Sequence, residues 1–285
     1  MPHTKGIITQ LHFSALLLGG TALFSKLIPY SAIDIISYRA LICGVLVLSI
    51  ALFLKHKILI RNKFHFLLLI VTSLLFTIHW TAYFHSMQVS SVAIGIVSMF
   101  TFPVITVFIE PLIKKTKLHR IDIVMAVIVL LGVGLIVPEL TLQNNITAGV
   151  AFGVLSGFAV ALRNVVVSKW LKHYSAFTIM TFHGLISALV LLPLTTIAIT
   201  DISGYEWFLL FLLGTLFTAV PHTQKTHALL HKSAKSVSMI ISLQVVYATI
   251  FAYLLLGEIV ELKTLIGGSL ILFAALYESI QSRKI

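Results

Sequence analysis

Charge is scarce in this chain. Asp, Glu, Lys and Arg make up 10% of its 285 residues, against about 25% in soluble domains. Acidic residues are the scarcer sign, with nine in all. The chain is 59% hydrophobic, with a mean hydropathy of +1.06. One soluble core cannot bury that much apolar surface, so lipid is the expected solvent. Cysteine occurs once, as Cys43, which excludes an intrachain disulfide and a cysteine metal cluster. H-E-x-x-H, G-x-S-x-G and P-loop motifs are absent, so the chain lacks the usual marks of a membrane enzyme. The nearest metal-like spacing, His222, His227 and His231, has no convincing acidic partner. Neither a metal nor a cofactor is expected.

What fills the chain is a series of ten apolar runs, near residues 7–27, 33–54, 64–86, 90–113, 121–138, 148–171, 175–199, 205–224, 236–256 and 263–280. Each is close to the ~20 residues that cross a hydrocarbon core of ~30 Å. In lipid the backbone must satisfy its own hydrogen bonds, so the runs read as helices. They are too long, and lack the alternation, for barrel strands. The fold expected is an all-α integral membrane protein of ten transmembrane helices. The opening "MPHTK" could imitate a signal peptide, but nothing resembling a cleavage site follows it, and a retained first helix is expected.

The basic residues set an orientation. Lys5, "KHKILIRNK" (55–63), "KKTKLHR" (114–120), "KWLKH" (169–173), "KTHALLHKSAK" (225–235), Arg283 and Lys284 occupy one set of junctions. They hold all the Lys and Arg except Lys26, Arg39, Arg163 and Lys263. The opposite junctions carry Asp34, Glu139, Asp201, Glu206, Glu258 and Glu261. Both termini are therefore expected in the cytoplasm. The net charge of +11 reads as a topology signal and a contact for anionic lipid headgroups, and no nucleic-acid partner is expected.

One phrase occurs twice. "SKLIPYSAIDIISYRALI" (25–42) and "SKWLKHYSAFTIMTFHGLI" (168–186) share Ser-Lys, Tyr-Ser-Ala and a closing Leu-Ile. Residues 33–48 align without gaps to 177–192, pairing Ile35 with Ile179, Leu41 with Leu185 and Leu48 with Leu192. "VITVFIEPLI" (104–113) matches "YATIFAYLLL" (247–256) more weakly, at nearly the same offset. The chain thus reads as two five-helix repeats, 1–142 and 146–285. Five is odd, so the second enters from the opposite side and the repeats are inverted. Two similar halves of opposite orientation can exchange conformations around a central site, which is the physics of a carrier.

Three stretches carry a family resemblance: "SKLIPYSAIDIISYRALICG" with Lys26 and Arg39, "WTAYFHSMQVSSVAIGIVSMFTFPVITVFIEPL" (80–112) and "TAVPHTQKTHALLHKSAKSVSMIISLQVVYATIFAYLLLGE" (218–258). In order and spacing the chain resembles the drug/metabolite transporter superfamily, in particular EamA-type carriers, over essentially its whole length. It departs from that pattern at Val246, where the ninth helix usually has a proline that the fourth keeps as Pro103. It departs again at Lys115, where the first half often has the glutamate kept in the second as Glu258. The resemblance implies a bacterial inner-membrane carrier, often an exporter of amino acids or related metabolites.

Intramembrane polar groups mark the candidate pathway. Arg163, deep in the sixth span, could hold a carboxylate or phosphate through its planar fork, or could pair structurally with Glu110. Asn164 beside it either helps or ties helices together. His79 and Tyr83 are four apart and share a helical face, with Trp80 adjacent. That face suits a small amphipathic solute, although Trp80, Tyr83 and His85 could instead form an outer aromatic belt. Pro221 precedes His222 in the eighth span, and Pro103 stands in the fourth; both prolines are candidate hinges. Gln244 and Tyr247, with Ser242, are candidate cavity residues of the ninth. Glu110, His79 and His222 are the candidates for proton coupling. Lys26 and Arg39, near the outer boundary, are expected to snorkel to headgroups. Gly267 and Gly268 are expected at a close helix contact. A small-molecule substrate and membrane lipids are the expected partners, with a second copy of the chain as a further candidate. A channel or a non-transporting scaffold is the alternative to a carrier, with an enzyme last.

Overall fold

The computed structural model describes residues 2–56, 58–115, 118, 120–137, 143–232, 237 and 240–281, with the side chains of 2–5, 275 and 278–281 left aside. Glu139, Lys57, Lys117, Lys235, Arg283 and Lys284 of the charge pattern lie outside the described residues, as does 142, the end of the first expected repeat.

The described elements are helical. In chain order they are α1 (Pro2–Thr21), α2 (Phe24–Leu27), α3 (Ala32–Phe53), α4 (Lys63–Val89), α5 (Val92–Met99), α6 (Phe102–Lys114), α7 (Arg120–Ile136), α8 (Asn145–Trp170), α9 (Ala176–Leu191), α10 (Gly204–Gly214), a π-helical turn at Thr215–Ala219, α11 (Val220–His231), α12 (Leu243–Leu256) and α13 (Leu262–Gln281). Polar residues at the runs' edges start several of them. The side chains of Ser31, Asn62, Ser91, Asn144, Ser175 and Ser203 each accept a first-turn backbone N–H, which satisfies donors the helix cannot. Ser203 and Glu206 close a full capping box.

Seven segments are long and apolar enough to cross a membrane: Gly6–Leu27, Ala32–Phe53, Lys63–Val89, Val92–Lys114, Asn145–Trp170, Ala176–Leu194 and Gly204–His231. The fifth, ninth and tenth expected positions hold α7, of 17 residues, α12, of 14, and α13, whose apolar stretch is Leu262–Ala274. Two boundaries differ from the sequence reading. The seventh span ends near Pro193 rather than at 199, in a 3₁₀ turn at Leu192–Leu194. The eighth runs on to His231 rather than ending at 224, because Lys225, expected in a cytoplasmic junction, is buried.

The bundle is apolar outside, and its largely apolar core also holds polar and charged groups. Phe53, Leu189 and Leu254 are exposed, while Arg39, Arg163, His183, Ser187 and Thr218 are buried. That fits a lipid surround. Contacts between helix ends also sort by side. Lys26 Nζ donates to the carbonyls of Gln88 and Ser90, Thr196 N donates to Asp34, and Val92 N donates to Glu258. At the other side Arg61 N donates to the Tyr174 hydroxyl and Lys169 to the Ile113 carbonyl. Each joins junctions that the sequence places together.

Helix partners follow a pattern. Numbering the ten expected spans in chain order, the first (α1) packs on the eighth (α11) and ninth (α12), and the sixth (α8) packs on the third (α4) and fourth (α5, α6). The second (α3) packs on the seventh (α9), and the fifth (α7) on the tenth (α13). Exchanging the halves, first for sixth and so on, returns the same set of pairs. Glycine permits the two self-paired crossings. A Cβ on Gly184 would stand 2.5 Å from the Gly44 Cα, and one on Gly267 2.5 Å from the Gly132 carbonyl oxygen.

Candidate functional site

The centre of the bundle is built on α4. Phe76, His79, Trp80 and Tyr83 fall at helical spacing, so their side chains stack along one face, and all four are buried. The Phe76 and Trp80 centroids are 4.4 Å apart, and the His79 and Tyr83 rings are parallel at 6.2 Å. The membrane-belt reading of Trp80 and Tyr83 is therefore corrected: they face inward.

Beside this face lies a cavity of about 20 Å³, walled by Leu18, Thr21, Arg39, His79, Trp80, Tyr83, Met99, Phe102, His222, Lys225, Ile241 and Gln244. It has room for little more than one water molecule, so this is a conformation closed around its centre. Both halves contribute walls.

The α10–α11 bend supplies one side. Pro221 has no N–H, which frees the carbonyl four residues back. That carbonyl, Phe217 O, accepts the Thr21 hydroxyl at 2.8 Å. The helix widens here into its π turn. Thr218 lies in the turn, donates to the Leu213 carbonyl and accepts Arg39 Nε at 2.6 Å. Arg39 does not snorkel. It is 1% exposed, with its guanidinium carbon 4.8 Å from the Trp80 centroid and 5.0 Å from that of Phe84. Lys225, one turn beyond Pro221, sits 5.7 Å from the Phe102 ring centre.

The chain matches the EamA-like transporter family over residues 5–137 and again over 147–279. It belongs to that family. Two relatives are uncharacterized transporters. One from Helicobacter pylori is 24% identical over 254 residues, covering 87% of this chain and 85% of the relative. One from Clostridium kluyveri is 26% identical over 193 residues, covering 65% of this chain and 62% of the relative's length. A protein of solved crystal structure shares the fold, with a TM-score of 0.69 at 15% identity over 97% of this chain and 98% of that one. The chain is thus a multi-pass membrane protein of a transporter family, and the family match covers it in two copies.

Within this EamA-like architecture the sequence-selected residues divide. His79, Trp80, Tyr83, His222 and Gln244 wall the cavity. Arg163 and Asn164 do not. Arg163 is 1% exposed and donates to Asn164 Oδ1 at 3.0 Å, His183 Nδ1 at 3.2 Å and Thr226 Oγ1 at 3.0 Å. Its guanidinium carbon lies 4.8 Å from the Phe76 ring centre, so one aromatic ring stands between it and the cavity walls. The pairing with Glu110 considered from sequence does not form: Glu110 bridges Lys114 at the end of α6. Tyr247 packs its Cβ toward Gly19 and is not a wall. Pro103 opens α6 after the break at Phe100–Thr101. The ninth span shows an interruption at Ser242 although Val246 replaces the proline. His85 lies apart, edge-on to Phe152 at 4.5 Å, beside an apolar groove.

Hydrogen bonds fix the ring tautomers. Arginine only donates, so His183 Nδ1 is an acceptor and its Nε2 donates to Thr72 at 3.3 Å. Trp80 Nε1 donates to His222 Nε2 at 3.3 Å. Ser156 Oγ gives its proton to the His79 carbonyl and accepts from His79 Nδ1 at 2.7 Å. Both His183 and His222 are thus held as neutral rings. The Tyr83 hydroxyl lies beside Gln244 but makes no hydrogen bond of ordinary geometry.

Three inward residues were not selected from the sequence: Arg39, expected to snorkel, Lys225, expected in a basic junction, and His183. For His183 a signal existed. The gap-free repeat pairs it with Arg39, and each bonds a threonine on the third helix of the other half, Thr72 and Thr218 respectively.

Proposed function

We propose that this protein is a secondary transporter, an exporter or exchanger, of small polar metabolites such as amino acids or related compounds. It works in the cytoplasmic membrane with both termini inside, as two inverted repeats in alternating access. The observation that carries the reading is the set of helix partners, unchanged when the halves are exchanged, around a closed cavity walled by both. Such a bundle has two equivalent ways to open. His79 and His222 are the rings offered for a coupled proton, His222 only once the cavity opens and Trp80 Nε1 leaves its Nε2.

Counterflow in proteoliposomes tests the carrier. Preloaded solute should drive uptake of labelled solute against its gradient. A channel would equilibrate without that overshoot, and a scaffold would show no flux. With the membrane potential clamped, a pH gradient should alter accumulation, and indifference to it removes the proton. Topology is tested by cysteine labelling at Leu27→Cys and Lys172→Cys, both exposed positions, with the native Cys43 buried. Labelling of both from the same side would end the inverted arrangement.

A further inference from the structure

Three cations are buried in the middle of this bundle: Arg39, Arg163 and Lys225, at 1%, 1% and 7% exposure. Among the described residues no carboxylate stands close to any of them. The acids are elsewhere. Asp34 is tied to Ser31 and Thr196, Glu206 to Tyr30, Glu258 to Val92 N and Glu110 to Lys114. All of these are at helix ends. Asp122 is in the first turn of α7.

A buried charge without a partner is among the most costly groups a protein can carry. The three cations are softened differently. Arg163 has three hydrogen-bond acceptors and a ring face, with Nε left without a partner. Arg39 has one acceptor and two ring faces, and its Nη1 has no partner. Lys225 has the face of Phe102. Cation–π contacts offset only part of such a desolvation. The two least satisfied cations are also the two that wall the cavity, while Arg163 stands one ring behind it.

We infer that the transported solute is a small organic or inorganic dianion, a dicarboxylate or a phosphate, whose two charges meet Arg39 and Lys225 in the opened cavity. This rests on the carrier reading and narrows its substrate class. The solute supplies the counter-charge that the described residues do not bring to these cations. An arginine fork and a lysine point charge are both good ligands for carboxylate and phosphate oxygens. The same three cations repel a cationic solute, as cationic rings do in anion pores. Arg163 holds His183 and adds to the local field without touching the solute.

The test uses the purified full-length chain in detergent, titrated with succinate, inorganic phosphate, leucine and putrescine while thermal unfolding is followed. A saturable rise in Tm is expected with succinate, phosphate or both, and the pair of arms separates carboxylate from phosphate recognition. Leucine and putrescine are expected to give none. Lys225→Gln and Arg39→Gln should each weaken the dianion's apparent affinity by about tenfold or more, whereas Lys225→Arg keeps it within about threefold. The proposal is overturned if neither dianion shifts Tm, if leucine or putrescine shifts it equally, or if both charge-removing variants bind as tightly as the native chain. Should those variants fail to fold, the native panel and Lys225→Arg still decide. Counterflow of leucine or putrescine without dianion binding would sink the anion and leave the carrier. Dianion binding without any counterflow would do the reverse.

Discussion

Arg39 and Thr218 lie 179 positions apart in the chain, and Arg39 Nε donates to the Thr218 hydroxyl at 2.6 Å, with both residues buried. The bond ties the second helix of one half to the π turn of the other. Thr218→Val should remove it while keeping the shape of the side chain. A buried donor on a charged group then loses its partner, and the Leu213 carbonyl loses a donor as well. We expect a loss of about 2–3 kcal/mol, read as a lower Tm in detergent, with Thr218→Ser restoring most of it. An unchanged Tm would mean that Arg39 is held by the rings of Trp80 and Phe84 alone.

What the sequence revealed follows from what lipid demands. Apolar runs near the span length, basic junctions and the doubled Tyr-Ser-Ala phrase identified helices and a repeat, because those features answer to the bilayer and not to details of packing. The α4 face was legible for the same reason, since His79 and Tyr83 share it by helical spacing alone. Arg39 was not. Counted along α3 it lies about two turns from the N-terminal end, where arginines commonly reach for headgroups. Its inward direction depends on the neighbouring α4, α9 and α10, which linear position does not encode. Lys225 was concealed by the basic residues that follow it. The apolar Ala228 and Leu229, both buried, were the sign that the helix continued. Arg163 was conspicuous by depth, yet depth does not tell a wall from the layer behind it.

The α3–α9 crossing predicts a steric threshold. A Cβ at position 184 would meet the backbone of Gly44, at 2.5 Å from Cα and 2.6 Å from N. Backbone cannot swing aside as a side chain does. Gly184→Ala should therefore lower stability by about 1–3 kcal/mol. Gly134, in α7, has nothing within 4 Å of its built Cβ, so Gly134→Ala should instead be neutral or stabilising by up to about 1 kcal/mol. Thermal unfolding of the two variants in parallel checks the sign difference. A Gly184→Ala protein as stable as the native chain would show that the crossing can spread at little cost.

Between α2 and α3, burial and a hydrogen bond to Glu206 push the Tyr30 phenol from 10.0 up to about 12. Tyr30 lies in the short connection before α3. A raised pKa means that the folded state favours the neutral phenol. This contribution to stability is complete below the unfolded value of 10.0 and is lost as the pH rises through about 12. Tyr30→Phe has no such proton to lose. The Tm advantage of the native chain over Tyr30→Phe should be constant up to pH 10.0 and should shrink by about 12. An advantage that does not change across that window would remove the phenol–carboxylate bond as its source.

Pro221 links the bend of the eighth span to the cavity, and its replacement separates shape from stability. The proline withholds a donor from Phe217 O, and Thr21 fills the gap. The π turn that results brings Thr218 to Arg39. Pro221→Ala restores an N–H that can close an ordinary helical bond to Phe217 O in place of the π turn. The Thr21 hydroxyl then loses an acceptor but keeps the Leu17 carbonyl, at 3.2 Å. Stability should rise. Transport should fall, because tightening the π turn rotates Thr218 away from Arg39 and straightens the helix that places His222 and Lys225 in the wall. Measuring Tm and counterflow on the same preparation distinguishes the outcomes. A more stable protein with undiminished flux would reduce the proline and its π turn to a packing feature.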